Sequence, residues 1–165
     1  MRPIRLEIQA FGAYAGRQVF DFADLKGRSL FLIAGPTGSG KTTVLDAICF
    51  ALYGTTSGGE RKPDGMRSDH VPQDVATEVT FDFDLGGKSY RVRRNLAYQR
   101  PAKRGEGTTA EPQNSALWER TGVDDPADEG RVVASRWEKV TREVERLLGF
   151  RDDEFRQVVL IPQGR

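Results

Sequence analysis

The stretch Gly35-Pro36-Thr37-Gly38-Ser39-Gly40-Lys41-Thr42, directly after the apolar run LFLIA, constrains this chain more than any other. It matches G-x-x-x-x-G-K-[ST] in full. Glycines let backbone N–H groups close around phosphates with no Cβ in the way. Lys41 supplies a point charge for β- and γ-phosphates, and the Thr42 hydroxyl is a ligand for Mg²⁺. The helix that starts near Gly40 turns its positive dipole end toward the same anion. A chance glycine-rich turn would meet the full pattern in well under about 1% of chains this long. The stretch therefore predicts nucleotide binding and a strand–loop–helix unit, without distinguishing ATP from GTP.

At 165 residues the chain fits one ordinary domain with a real core, and 38% hydrophobic with 30% charged residues suits a soluble globular protein. No apolar run approaches the roughly 18 residues that a membrane helix needs. The opening MRPIRLEIQAF alternates like a strand and does not read as a signal peptide. A single cysteine, Cys49, excludes an intrachain disulfide and a cysteine metal cluster. Together these features point to the cytoplasm. The net charge of +1 gives no global argument for nucleic acid. Locally, Lys88, Arg91, Arg93, Arg94, Arg100, Lys103 and Arg104 lie in one run without an acidic residue. Arg91, Arg93 and Arg94 are candidate contacts to a nucleic-acid backbone, against the plainer reading of a solvated face.

Residues 3–10 read as a strand, FGAYAG as a turn and RQVFDF as a second strand. SLFLIA reads as a central strand buried on both faces. The helix after the loop is apolar around most of its circumference, hence buried, and stops at Gly54. Residues 54–74 form a long polar loop. Val79, Phe81, Phe83 and Leu85 alternate before Gly86-Gly87, and Tyr90 and Val92 alternate after it, which predicts a hairpin. AYQRPAKRGEGTTAEPQ reads as a mobile insertion, about residues 98–114. SALWER and VVASRW read as further strands. Ser135 with Glu138 predicts a capping box for a helix over 136–148, with Val140, Val144, Leu147 and Leu148 as its stripe. RDDEFRQ is a short turn or helix, and VVLIPQ a buried strand ending at Gln163.

The phrase GPTGSGKTTVLDAICFALYG and the ending FRQVVLIPQGR resemble the SbcC-type ATPases, within the broader SMC-like group of chromosome and DNA-repair ATPases. The resemblance spans about residues 3 to 165, with 95–134 matching only in general character. It implies an α/β P-loop NTPase of ABC/SMC head type, with an antiparallel β-sheet lobe and a mixed core sheet around the phosphate-loop helix. Residues 1–165 would be the N-terminal half of a split head, with coiled coil and C-terminal half elsewhere. ATP and Mg²⁺ would be the cofactors. Gly35, Pro36, Thr37, Gly38, Ser39, Gly40, Lys41, Thr42 and Thr43 would hold the triphosphate. Thr42 and Gln163 would hold the metal, with Lys41 and Gln163 as the catalytic pair. The implied partners are the C-terminal half of the same head, a second head, an SbcD-type nuclease and double-stranded DNA, in the cytoplasm at the nucleoid and not at a membrane. ATPase activity would need assembly with the C-terminal half. In the turn after the first strand this chain has Phe11-Gly12-Ala13-Tyr14 where the family often has a polar or basic residue, so no nucleotide contact is assigned there. Other SMC-, RecF- or RecN-like heads remain an alternative, as does a self-contained small P-loop kinase. Arg67 reads either as a loop arginine near nucleotide or DNA or as a solvated one. His70 reads as surface, Asp46 as a local partner on its helix, and Trp118 and Trp137 as packing residues.

Overall fold

A computed structural model of the chain describes residues 1–25, 27–28, 31–58, 63–72, 74–102, 107–121 and 130–158. Its elements in chain order are β1 (Arg2–Gln9), β2 (Gln18–Asp21), α1 (Lys41–Tyr53), β3 (Glu78–Leu85), β4 (Lys88–Asn95), β5 (Tyr98–Pro101), β6 (Thr108–Glu111), β7 (Asn114–Arg120), β8 (Arg131–Ser135), α2 (Trp137–Leu148) and α3 (Asp152–Val158). Period-two alternation builds the sheet. Leu6 and Ile8 of β1, Val79, Phe81 and Phe83 of β3, Tyr90 and Val92 of β4 and Leu117 of β7 are all buried in one core. The six strands run β2-β1-β3-β4-β7-β8, antiparallel at every pair. Gly86 and Gly87 connect β3 to β4 with φ of 59° and 79°, the paired positive values a two-residue hairpin turn demands.

Helix α1 lies against this inner face. Every residue from Thr43 to Tyr53 except Leu45 is buried, as a helix without a polar side must be. Phe50 packs between Phe11 and Trp137, with centroids 5.2 and 5.7 Å away, and Tyr53 packs on Phe155 of α3 at 5.3 Å. Helix α2 turns Val140 and Val144 inward, with Leu147 and Leu148 at the margin of the core. Gly54 caps α1 at φ 76°, donating its N–H to Phe50 O at 2.8 Å. A Cβ on Gly54 would lie 2.6 Å from the Trp137 ring, so close approach and backbone conformation both require glycine there.

Several expectations are corrected. Residues 31–34 are not a strand, and Leu32 is 86% exposed. A strand buried on both faces needs a neighbour on each side, and among the described residues none runs beside it. Phe31 instead leans on Phe22, with centroids 5.8 Å apart. The antiparallel sheet with its packed helices agrees with the expected lobe, and the other strand expected for the mixed core sheet, VVLIPQ, lies outside the described residues apart from Val158 at the end of α3. The segment expected as a mobile insertion carries two short strands. β5 and β6 pair as an antiparallel ribbon, with residues 103–106 outside the described set. The Ser135–Glu138 capping box does not form, because Ser135 is held in β8 opposite Ala116. Arg136 takes the cap position at φ 77°, its N–H bonded to Ser115 O at 3.0 Å. The 54–74 loop is polar in sequence yet packed, with Thr56, Ser57, Met66 and Ser68 buried.

Cys49 sits on the buried side of α1. Burial first, then the nearby Asp46 carboxylate, pushes its thiol up to about 12. A raised value means the native state holds this proton more tightly. The group's contribution to stability is therefore complete below the thiol's ordinary range and is lost as pH rises toward that value. At about pH 8, alkylation of Cys49 by iodoacetamide is expected to be at least about 100-fold slower in the native protein than in the urea-unfolded chain. Comparable rates would show that α1 is not buried. Gly54→Ala is expected to cost about 2–4 kcal/mol from strain plus overpacking against Trp137, read as a lowered denaturant midpoint at unchanged slope.

Candidate nucleotide-binding site

The loop between residues 35 and 40 is built by two features. Gly38 and Gly40 adopt φ of 84° and 85°, and Ser39 N–H bonds back to Pro36 O at 3.2 Å. Gly40 is the N-cap of α1 and carries no side-chain cap, so the N–H groups of the helix's first turn face outward without a side-chain acceptor. The first helical bond, Val44 N–H to Gly40 O, measures 3.1 Å. Lys41 Nζ folds back over the loop and donates to Gly35 O and Pro36 O, at 2.8 Å each. Residues 35–39 and Thr42 are exposed, while Thr43 is buried. The structure thus brings Gly35 to Thr43 together in one loop at the start of α1, with the lysine ammonium resting on two of its carbonyls.

The turn after β1 forms the floor. Phe11 and Tyr14 exchange backbone hydrogen bonds of 3.0 Å, and Gly12 N–H donates to Met66 O at 2.6 Å. Gly12, at φ 56°, meets the Thr43 side chain, since a Cβ there would lie 2.5 Å from Thr43 Cγ2. The Tyr14 ring fills the space beneath Gly40, where a Cβ would lie 2.6 Å from the phenol oxygen. Tyr14 Oη lies 3.4 Å from Gly40 O and 3.5 Å from Ser39 O, and burial raises its phenol from the ordinary value. Sequence reasoning assigned no site role to this turn. The signal available was the small Gly12 with Tyr14 two residues on, one face of a turn at the end of a buried strand.

Asp46, one turn further along α1, is buried and accepts from Ser57 N–H at 2.8 Å and Ser57 Oγ at 2.6 Å. That matches its reading as a local partner. Arg67 staples its own loop, donating to Pro72 O at 2.6 Å, Val75 O at 2.7 Å and Thr77 Oγ1 at 2.9 Å. It is bridged to Phe11 and so supports the floor indirectly.

The nucleic-acid candidates separate. Arg91 is buried on the sheet's outer face, bidentate to Asp82 at 2.7 Å, and Arg120 reaches the same carboxylate at 3.2 Å. Arg94 is fully buried on the opposite, helix-covered face. Neither is placed to meet a phosphate backbone, which corrects the reading of these arginines as one basic surface. Arg93 is half-buried over the Trp118 ring, 4.9 Å from its centroid. Gln163, expected to act on metal and water, lies outside the described residues. Among the described residues no group of three or more histidine, cysteine, aspartate or glutamate side chains is placed to hold a metal ion. A cation here would rely on Thr42 and phosphate oxygens, a hard oxygen set suited to Mg²⁺. A cleft of about 330 Å³ at the root of the β5–β6 ribbon, lined by Glu78, Asn95, Tyr98 and Glu111 among others, is not part of the loop.

Residues 5–165 match a family model described as an AAA domain. The chain belongs to this AAA-domain family. Among curated proteins it is 43% identical over all of its 165 residues to the SbcC component of the nuclease SbcCD from Vibrio cholerae, covering 16% of that protein. It is 37% identical to the same-named protein of Lactococcus lactis and 33% identical to that of Staphylococcus aureus, over 99% of this chain and 15% of each. The chain thus spans about one sixth of the length of these relatives. A solved SMC head domain from Thermotoga maritima superposes with a TM-score of 0.48 at 22% identity, over 87% of this chain and 42% of that one. No helix among the described residues is long and apolar enough to cross a membrane.

Gly12→Ala is expected to destabilise the protein through the Thr43 contact. Thr43→Ser, which removes the clashing methyl, is expected to recover part of that loss. A double-mutant cycle on thermal stability should give a coupling of about 1 kcal/mol, and strict additivity would show that floor and helix do not touch.

Proposed function

We propose that this AAA domain binds ATP with Mg²⁺ and forms one half of the ATPase head of an SbcC-type DNA-repair complex. The observation that carries the nucleotide reading is the uncapped N-terminus of α1 beneath a lysine already folded across the loop. Gly35 to Thr43 hold the triphosphate through backbone N–H groups, Lys41 neutralises the β- and γ-phosphates, and Thr42 ligates Mg²⁺. By the family resemblance, Gln163 would serve as a further oxygen ligand for Mg²⁺ and would act on the attacking water. The sequence likeness to the SbcC component of the nuclease SbcCD supports a nuclease partner; a second head closing over the nucleotide and double-stranded DNA as the substrate complete the reading. Leu32, 86% exposed, and the half-exposed Phe31 are apolar surface that a complementary half-head could cover.

Hydrolysis needs a residue that positions or deprotonates the attacking water beside the γ-phosphate. The first turn of α1 has no acidic residue, and the Asp46 carboxylate is engaged by Ser57. On this reading, hydrolysis waits for assembly with the C-terminal half of the head.

Calorimetric titration with ATP–Mg²⁺, with and without a complementary C-terminal half-head, tests this. Lys41→Ala is expected to lose about 1.5–3 kcal/mol of binding, roughly 10- to 150-fold, for one charge-assisted contact set. Hydrolysis is expected only in the mixture. Full turnover by this chain alone would mean a self-contained P-loop enzyme and would remove the half-head reading.

A further inference from the structure

Arg94 is the largest fully buried side chain of the described residues and has no carboxylate among its hydrogen-bond partners. Its four acceptors are neutral and come from two helices. Nε donates to Ala51 O at 2.8 Å and Nη2 to Leu52 O at 3.0 Å, carbonyls in the last turn of α1. Nη2 also donates to Thr141 Oγ1 at 2.9 Å and Nη1 to Trp137 O at 3.3 Å, both in the first turns of α2. The guanidinium lies over the Trp137 ring, 4.7 Å from its centroid, and the same ring closes on Gly54. Burial without a counter-charge pulls the group down to about 9.

A well-packed apolar side chain would fill this space without desolvating a charge. It would not join four acceptors on two helices, nor set a cation at the negative end of the α1 dipole. The other end of that dipole is the phosphate loop. α1 has 13 residues and is therefore a rod about 20 Å long, buried along its length. Its N-terminal end rests on Gly12 and Tyr14, its middle on the Asp46–Ser57 bond, and its C-terminal end on Arg94.

We propose that Arg94 is a positioning residue for the phosphate loop: it fixes the far end of α1 and makes α1 and α2 one body, so that nucleotide occupancy at Gly35–Thr43 is carried to Trp137. This rests on the nucleotide reading above and adds the element that responds. Arg94 itself touches no nucleotide. It acts through the helix, and α2 is the element that moves with it.

The chain holds two tryptophans, so Trp118→Phe leaves Trp137 as the reporter. In the full chain with that background, ATP–Mg²⁺ is expected to change Trp137 emission, and Lys41→Ala to abolish the change. Arg94→Lys keeps the charge but cannot span the acceptors of both helices. It is expected to fold, to weaken ATP–Mg²⁺ binding about tenfold, and to lose most of the emission response. Thr141→Val keeps Arg94 and removes one acceptor on α2, and is expected to reduce the response about twofold or more. A folded Arg94→Lys variant with lower thermal stability but wild-type affinity and response would overturn the proposal, leaving a purely structural arginine. Should Arg94→Lys not fold, Thr141→Val decides, and an unchanged response there overturns it. Nucleotide binding with a silent Trp137 in the parent would overturn this joint alone. No binding at all would remove the nucleotide reading, and the joint with it.

Discussion

A helix with no polar side must be covered on every flank, and α1 is such a helix. The inner face of β3 and β4 covers one side, Phe11 and the turn after β1 another, and α2 and α3 close the rest. That coverage leaves its first turn, with Thr42, as the most exposed part of the helix, and the glycine–lysine loop lies there. Hydrophobic burial thus aims the backbone N–H groups. The glycines at 38 and 40 shape the loop, but packing along the following 13 residues decides where the loop points.

Much of this was legible in the residues, because the signals were local. The glycine–lysine motif, the Gly86-Gly87 hairpin, the Gly54 stop and the stripe of α2 each depend on neighbours within a few positions. Other features depended on distant chain. Residues 31–34 are apolar enough for a central strand, yet a strand exists only beside another, and no adjacent sequence could show whether one was present. Ser135 carries a good capping signal, but pairing with β7 engages its backbone first. Gln163 lies beyond the described residues, so its place in the site rests on resemblance and chemistry rather than geometry.

Arg94 shows a different kind of gap. The alternation that placed Tyr90 and Val92 inward also places Arg94 inward, since all three are two apart. Reading Arg91, Arg93 and Arg94 as one basic stretch overlooked that phase. Arg91 and Arg93 share the outer face, where Asp82 and the Trp118 ring receive them, and Arg94 points the other way into the helices. Charge density along the chain and charge density on a surface are different quantities, and in a strand the period of two separates them.

The order of strands has a consequence for how the molecule comes together. β3, β4 and β7 follow one another closely enough to pair from local turns, apart from the ribbon between β4 and β7. β1 pairs with β3 across a span that includes β2, the phosphate loop and all of α1, with Arg2 opposite Asp84. Closing so long a span is slow compared with forming a hairpin. Until it closes, α1 has no floor beneath Gly12 and only part of its cover. On a growing polypeptide, the motif that emerges early in the sequence therefore waits for residues some forty positions further on before it acquires a shape that can grip an anion. The order would show in refolding followed by pulsed hydrogen exchange, as protection arising in the β3–β4 hairpin before α1.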